Sequence, residues 1–482
     1  RIERQPWPSD RDWPMQIHAE ADWSRPRFRR GLLFDAEDLP KLRVKCVDGP
    51  WAKLYGHVKA RAAEAMQREP EDDLGLYQPW SDRRYSRPRH PARPYFHESL
   101  DLCFTGLIEQ DEAMLKHAAR YLMCLVHTRE WSCSEESHAT GLTWTQRCFI
   151  EEMSSTAVAI LLDWLDFALT PAGKQTADQA LWDKGLSAIE RDVMKFAYLH
   201  RNNQGPWFGR ARILGALMLE ASWPCVEDYA DQAMRQVSGD LGNYILDDGG
   251  TDEGVGYFFM TMHTALAGLL AYAKARGVDA RELMPEPFKR SERYLKVMAA
   301  SQPGRVLLAA DNSCDRVLGD GLAMLASLYP GQAYDAMLAD QLEAEPDTYY
   351  RQYMQGGIYS LIFGPDEIPE PRTIVPVVVV LPETGHATSR RVDEAYPGVS
   401  PGAGRLLRLH VSGCKANPGH THFDQGALVV ECDDQPMLID RGIVRYDDAR
   451  ANLLKGSAMH NVLTPVLEGE EYPDQALPRE RP

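Results

Sequence analysis

The stretch NPGHTHFDQGALVVECDDQPMLIDRG, residues 417–442, decides how the second part of the chain is read. Its centre, GALVVECDDQPMLID (426–440), holds two short β-forming runs around a polar break at Asp433–Gln435, which is the pattern of a hairpin. Its start alternates. His420, His422 and Asp424 occupy every second position after a Pro-Gly turn. In a strand, every second side chain points to one face, so the three are expected to project into one small volume. That grouping is costly in a plain core and useful for a metal or a proton transfer.

Outward from this stretch, the same texture recurs. GGIYSLIFG (356–364), IVPVVVVLP (374–382), GRLLRLHVSG (404–413) and HNVLTPV (460–466) are short, β-branched and bounded by Gly, Pro or Asp. They predict an all-β region, a sandwich, from about residue 351 to 482. Before it, from Phe34 to Leu342, apolar residues recur at three- and four-residue spacing. SLDLCFTGLIEQDEAMLKHAARYLMCLVHT (99–128) predicts two helices broken near Glu109. SSTAVAILLDWLDFAL (154–169) and MTMHTALAGLLAYAKARG (260–277) predict two more, the second ended by Gly277. Helix following helix through short loops suggests an α/α toroid or incomplete barrel over residues 1–350. Helices first and strands second imply segregated domains, with the cleft between them as the expected site.

The bulk numbers bound the function. With 482 residues the chain exceeds one ordinary core. A net charge of −17 argues against a nucleic-acid binder. No apolar run of about eighteen residues is read as a membrane span. The nine cysteines are scattered without a C-x-x-C pair, which suggests free thiols and leans towards a reducing compartment. The chain opens on Arg1, so a removed leader and a fragment both stay open, and further sequence beyond Pro482 is expected.

Several residues could carry chemistry. His422, Asp440 and His460 are two imidazoles and a carboxylate, a set that suits zinc; the long spacing equally fits three separate polar residues at strand ends. His420 suits a general base, or a further metal ligand. HRNNQGPWFGRARILGALML (200–219) predicts a helix from about Arg210, preceded by amides. Asn202, Asn203 and Gln204 are either a simple cap and turn or a place for a carboxylate. Arg201, Arg210 and Arg212 could grip carboxylates or lie as solvated helix charges, and Trp207 could stack on a sugar or pack in the core. In DDGGTDEGVGYFFMTMHTAL (247–266), Glu253 lies in a Gly-rich turn and Tyr257 opens an apolar helix, where it could simply be a core aromatic. Glycines there let backbone approach closely and leave the Tyr257 hydroxyl accessible as an acid or base.

Taken together, these stretches resemble the heparinase II/III-like polysaccharide lyases, alginate and oligoalginate lyases included. The resemblance runs from LLFDAEDLPKL (32–42) to LEGEEYPDQ (467–475). It is carried by GHTHFDQGAL, MLIDRG and MHNVL in the β region, by NNQGPWF and GGTDEGVGY in the helical region, and less clearly by LLAADNSCD (307–315). It implies a helical toroid followed by an antiparallel β-sandwich, and β-elimination of a uronate polymer. Asn203 would neutralise the uronate carboxylate with Gln204 beside it. Tyr257 would be the acid, and the base in syn elimination; His420 would be the base for the opposite epimer. His422, Asp440 and His460 would hold a structural Zn²⁺. Asn202, Trp207, Arg201 and Glu253 are the expected substrate contacts. Gln204 departs from the family, which commonly has histidine there; glutamine cannot titrate. The implied partner is an anionic uronate polysaccharide, with no nucleic acid and no membrane, a homodimer remaining open. The resemblance favours a periplasmic or secreted protein, against the cytoplasmic lean of the thiols. A zinc-dependent glycan hydrolase and a non-catalytic carbohydrate-binding protein are the alternatives.

Overall fold

The structure is a computed structural model that describes residues 13–70, 92–128, 131, 149–317, 319–344, 356–368, 377–393, 405–413, 420–433, 435–444, 448 and 450–464. The chain forms two units, and they interleave in sequence. The first takes residues 1–240, 264–283 and 357–367; the second takes 241–263, 284–356 and 368–482. This division differs from the single boundary expected at residue 350. The physical reason lies in the second unit itself, where the segments 241–263 and 284–317 bond to the sheet region. Asp248 accepts from the backbone N–H groups of Glu383 and Thr384, and Arg408 donates to the Val297 carbonyl.

The first unit is helical. Its elements include α1 (Ala52–Ala65), α2 (Ala92–Glu109), α3 (Glu112–His127), α4 (Ile150–Trp164) and α5 (Gln204–Leu219). The break expected near Glu109 is there: Gln110 adopts φ +58° and the Asp111 carboxylate caps α3 by accepting from Met114 N–H. Phe34, Phe104 and Trp164 form an aromatic cluster, with Phe34 5.3 Å from Trp164. Helix α5 starts at Gln204, six residues before the expected Arg210. Its first turn is held by packing and by Asn202, whose Oδ1 accepts from Gln204 N–H.

Two further helices follow, α6 (Glu227–Tyr244) and α7 (Val255–Arg276). Gly277 ends α7 at φ +66°, as expected. By length and composition α7 could cross a bilayer, which corrects the reading that no such segment exists; 72% of its apolar window is buried within the protein, as in a core helix.

In the second unit, α8 (Ser291–Met298), α9 (Gly319–Leu328) and α10 (Ala333–Ala344) accompany one antiparallel sheet. A short α11 (Ile358–Phe363) belongs to the first unit and stands where GGIYSLIFG predicts a strand. Burial of three consecutive residues there, Tyr359, Ser360 and Leu361, suits a helix turn and defeats a period of two.

The sheet order is β1 (Val377–Leu381), β2 (His386–Asp393), β3 (Arg405–Ser412), β4 (Ala427–Cys432) and β5 (Gln435–Leu438). β4 and β5 form the expected hairpin, turned by Asp433 at φ +49°. β2 had no apolar signal, because its buried face carries His386 and Thr388. That face continues with Arg408, His410 and Ser412 of β3 and Glu431 of β4, all buried. Arg408 bonds Glu431 at 3.0 Å. The opposite face leaves Val378 77% exposed and Leu409 45% exposed. The strand expected at 460–466 is absent over 460–464; its last two residues lie outside the described ones, as do all of residues 465–482, Cys133, Cys148 and Cys414. Among the described residues, Cys46, Cys103, Cys124, Cys225, Cys314 and Cys432 are free thiols.

Candidate functional site

The second unit gathers the alternating histidines, but by a different route from the one their spacing predicts. Residues 420–426 are a loop leading into β4, not a strand. His420 and His422 converge because one carboxylate holds both. Asp311 Oδ2 accepts from His420 Nδ1 at 2.8 Å, and Asp311 Oδ1 accepts from His422 Nε2 at 2.9 Å. Lys455 Nζ lies 2.9 Å from the same carboxylate, whose side chain is 0% exposed. The backbone adds a tie, Asp311 N–H to the His420 carbonyl at 3.0 Å.

Why Asp311 reaches this spot follows from its loop, residues 307–312. Ala310 takes φ +56°, and Asn312 donates its side-chain amide to the Leu307 carbonyl. The Asn312 carbonyl accepts from Ile443 N–H. On its other side the loop meets the start of α7. Gly254 stands at φ +93°, and a Cβ on Gly256 would lie 2.5 Å from Asn312 Oδ1. The glycines of EGVG are thus needed for close approach, as the sequence implies. Their effect is to set Tyr257 against His420. The two rings stack with centroids 4.0 Å apart and planes 27° apart. Tyr257 is half-buried, and the His420 side chain is 21% exposed. Glu253 is buried in the same turn.

Behind this pair, ligand atoms of His422, Asp440 and His460 lie within 4.8 Å of one another. His460 Nδ1 donates to Asp440 Oδ2 at 3.1 Å. Three atoms in this cluster are buried without a hydrogen-bond partner: His422 Nδ1, His460 Nε2 and Asp424 Oδ1. A buried unsatisfied polar atom costs about 1–3 kcal/mol, so three together ask for an occupant. Burial, then the charge of Asp440, pushes the Asp424 carboxyl up to about 6. Two imidazole nitrogens, a carboxylate and no hydrogen-bond partner for the nitrogens are a donor set that fits a zinc ion. The second histidine nitrogens are each held by a carboxylate, Asp311 or Asp440, as metal-ligating histidines usually are.

The first unit holds the other expected residues. Asn203 is the buried N-cap residue of α5 and Gln204 is half-buried at its first position. Asn202 is half-buried and Arg201 exposed. His200, which the sequence reading passed over, pairs with Asp240 at 3.0 Å beside them. Three other residues are used internally. Arg210 gives two hydrogen bonds to Glu152, at 2.8 and 3.0 Å, and Arg212 bonds Glu190 and Gln236. Trp207 is 3% exposed, donates its indole N–H to Glu152 and stacks on Phe149 at 4.6 Å. Core packing therefore takes Trp207, and ion pairs take Arg210 and Arg212, leaving none of the three for substrate in this arrangement.

Sequence reasoning missed Asp311 and Lys455. LLAADNSCD stands out as a motif, but nothing in it assigns a role to Asp311. Lys455 sits in no motif, and only the folded loop reveals it.

No family model matches the chain, and a search of curated proteins finds no match. Solved structures do match. A heparinase III is similar at 11% identity with a TM-score of 0.48, over 83% of this chain and 61% of that one. Heparan sulfate lyase HepC from Pedobacter heparinus is similar at 12% identity with a TM-score of 0.46, over 88% of this chain and 67% of that one. A mutant of the same lyase gives 11% identity and a TM-score of 0.49, over 94% and 70%. The chain thus spans under two thirds of the length of the heparinase III that it resembles, and its structural likeness is to heparinase III and heparan sulfate lyase.

Proposed function

We propose that this protein is a polysaccharide lyase that cleaves a uronate glycoside by β-elimination, with Tyr257 and His420 as its acid–base pair. The observation that carries the reading is their stacking at 4.0 Å, a phenol and an imidazole from sequence positions 163 residues apart (420 − 257). Removing the C5 proton of a uronate places charge on the adjacent carboxylate, and the leaving O4 needs a proton. Tyr257 supplies the acid, and acts as base in syn elimination; His420 takes the C5 proton of the opposite epimer. Proton transfer by one positioned group contributes about 10²–10⁴-fold in rate. Asn203 and Gln204 keep the role that the sequence resemblance implies, neutralising the carboxylate as its charge grows. A toroid for the helices and a sandwich for the sheet belong to the same proposal.

His422, Asp440 and His460 would hold a structural zinc ion, which supplies a positive cross-link behind His420. The unpartnered nitrogens of His422 and His460 support it. No step of the elimination passes through it.

The test is incubation with heparan sulfate, chondroitin, hyaluronan and alginate. Growth of ultraviolet absorbance signals the unsaturated product of elimination and is the expected result on at least one polymer. Reducing ends without that absorbance would replace the lyase by a hydrolase; binding without turnover would leave a carbohydrate-binding protein.

A further inference from the structure

The Asp311 carboxylate faces two histidines through different ring nitrogens: Nδ1 of His420 and Nε2 of His422. An ionised carboxylate has lone pairs only, so each nitrogen that faces it must carry the proton. Lys455 Nζ, 2.9 Å away, adds a further donor to the same carboxylate, which therefore accepts on both oxygens. The two imidazoles are thereby set in opposite tautomers. His420 carries its proton on Nδ1, so proton exchange with a substrate falls to Nε2. His422 carries its proton on Nε2, so its lone pair sits on Nδ1, which is the buried nitrogen without a partner. The loop that places Asp311 also packs against Gly254 and Gly256, so the Tyr257 side of the pair is fixed by the same five or six residues.

We propose that Asp311 is a positioning residue: its two oxygens fix His420 with Nε2 available to substrate and His422 with Nδ1 available to a metal, and so join the acid–base pair to the metal cluster through one buried carboxylate. The catalytic half rests on the lyase reading above; the tautomers do not. Wrong-tautomer substitutions at such a carboxylate, in a hydrolase triad, cost about 10⁴-fold in kcat while leaving the geometry intact.

The test separates the two. Metal-free full-length protein, labelled with ¹⁵N-histidine and held at mildly alkaline pH, is read by two-bond ¹H–¹⁵N correlation, with His420→Gln and His422→Gln to assign the signals. The expected spectrum shows His420 protonated at Nδ1 and His422 at Nε2. Any other pair of tautomers overturns the proposal, whether or not the protein is a lyase. Asp311→Asn has one acceptor oxygen and can keep only one of the two. It should switch or mix at least one tautomer and, on whichever polymer turns over, lower kcat by about 10²-fold or more with KM within about threefold. Unchanged tautomers in Asp311→Asn would refute it. If no polymer turns over, the lyase reading fails while the spectrum still decides the tautomers.

Discussion

The two polar clusters of this chain differ in how their buried groups are used. Along α5, the donors Arg210, Trp207 and Arg212 are matched inside the first unit: Glu152 takes Arg210, Trp207 and Thr156, and Glu190 takes Arg212 and Tyr229. Around Asp311, the network is satisfied on one side only, and stops at His422 Nδ1 and His460 Nε2. A satisfied buried network specifies a core; an unsatisfied one, beside half-exposed Tyr257 and His420, marks a place built for something else. The comparison teaches that a charged residue near a motif is no guide to function until its partners are known.

The comparison breaks first, and with the largest effect, at the stacked pair. Tyr257→Phe keeps the ring against His420 and removes only the hydroxyl. Its rate of unsaturated-product formation should fall about 10²–10⁴-fold, with the unfolding midpoint within about 0.5 kcal/mol of wild type. A variant that turns over at the wild-type rate would move the chemistry away from this pair.

Arg210→Ala tests the satisfied side. It strips both hydrogen bonds from Glu152, which is 0% exposed, and leaves a buried carboxylate with only Trp207 and Thr156. Breaking one partner of such a pair costs about 3–5 kcal/mol in stability. Denaturant unfolding should show that loss. A change of under 1 kcal/mol would mean that the pair is not the anchor between α4 and α5.

A third buried polar region, the inner face of the sheet, predicts a pH dependence. Burial pulls His386 down to about 4, against a small opposing pull from Asp248, and burial with His386 and Arg408 holds His410 well below the usual range. Both are neutral when folded, whereas the unfolded histidine binds a proton below about 6.5. The unfolded state thus binds more protons, so stability is fully present above about 6.5 and falls as pH drops towards 4. For His386 alone the loss is about 3 kcal/mol over that window. Urea midpoints measured across it should fall steeply, and less steeply in His386→Gln. Equal slopes in the two proteins would assign the acid sensitivity elsewhere.

How much of this was legible in the sequence varies with the physical signal. β1, β3 and β4 were legible because VVVVL, RLLRLHVS and ALVVEC are apolar-rich runs, even though β3 buries Arg408, His410 and Ser412 and leaves Leu409 exposed. β2 was not, since HATSRRVD has no such run and buries histidine and threonine. Ile358–Phe363 reads as a strand from the sequence because a six-residue run with five apolar residues fits a strand or a buried helix turn equally well. The site histidines were found by their H-x-H-x-D pattern, yet for a reason that the fold replaces: convergence comes from Asp311 in a loop 109 residues earlier, not from strand alternation. Nothing local in LLAADNSCD says which side chains Asp311 will meet. The interleaving of the two units was invisible for the same reason, since hydrogen bonds such as Asp248 to Thr384 join positions 136 residues apart.

Trp207 gives the smallest and sharpest test. As a sugar platform it would be a half-exposed ring whose loss raises KM. As it stands, the ring is buried against Phe149 and its N–H is one of the donors to Glu152. Trp207→Phe keeps an aromatic ring in that place and deletes the donor. Glu152 retains the two bonds from Arg210, so the cost should be near the value of one hydrogen bond to a charged group, about 1.5–3 kcal/mol, and no more. KM for any polymer that turns over should stay within about twofold, because a uniform-binding contact is not being removed. A large rise in KM with unchanged stability would invert the comparison, making the α5 region a substrate surface after all.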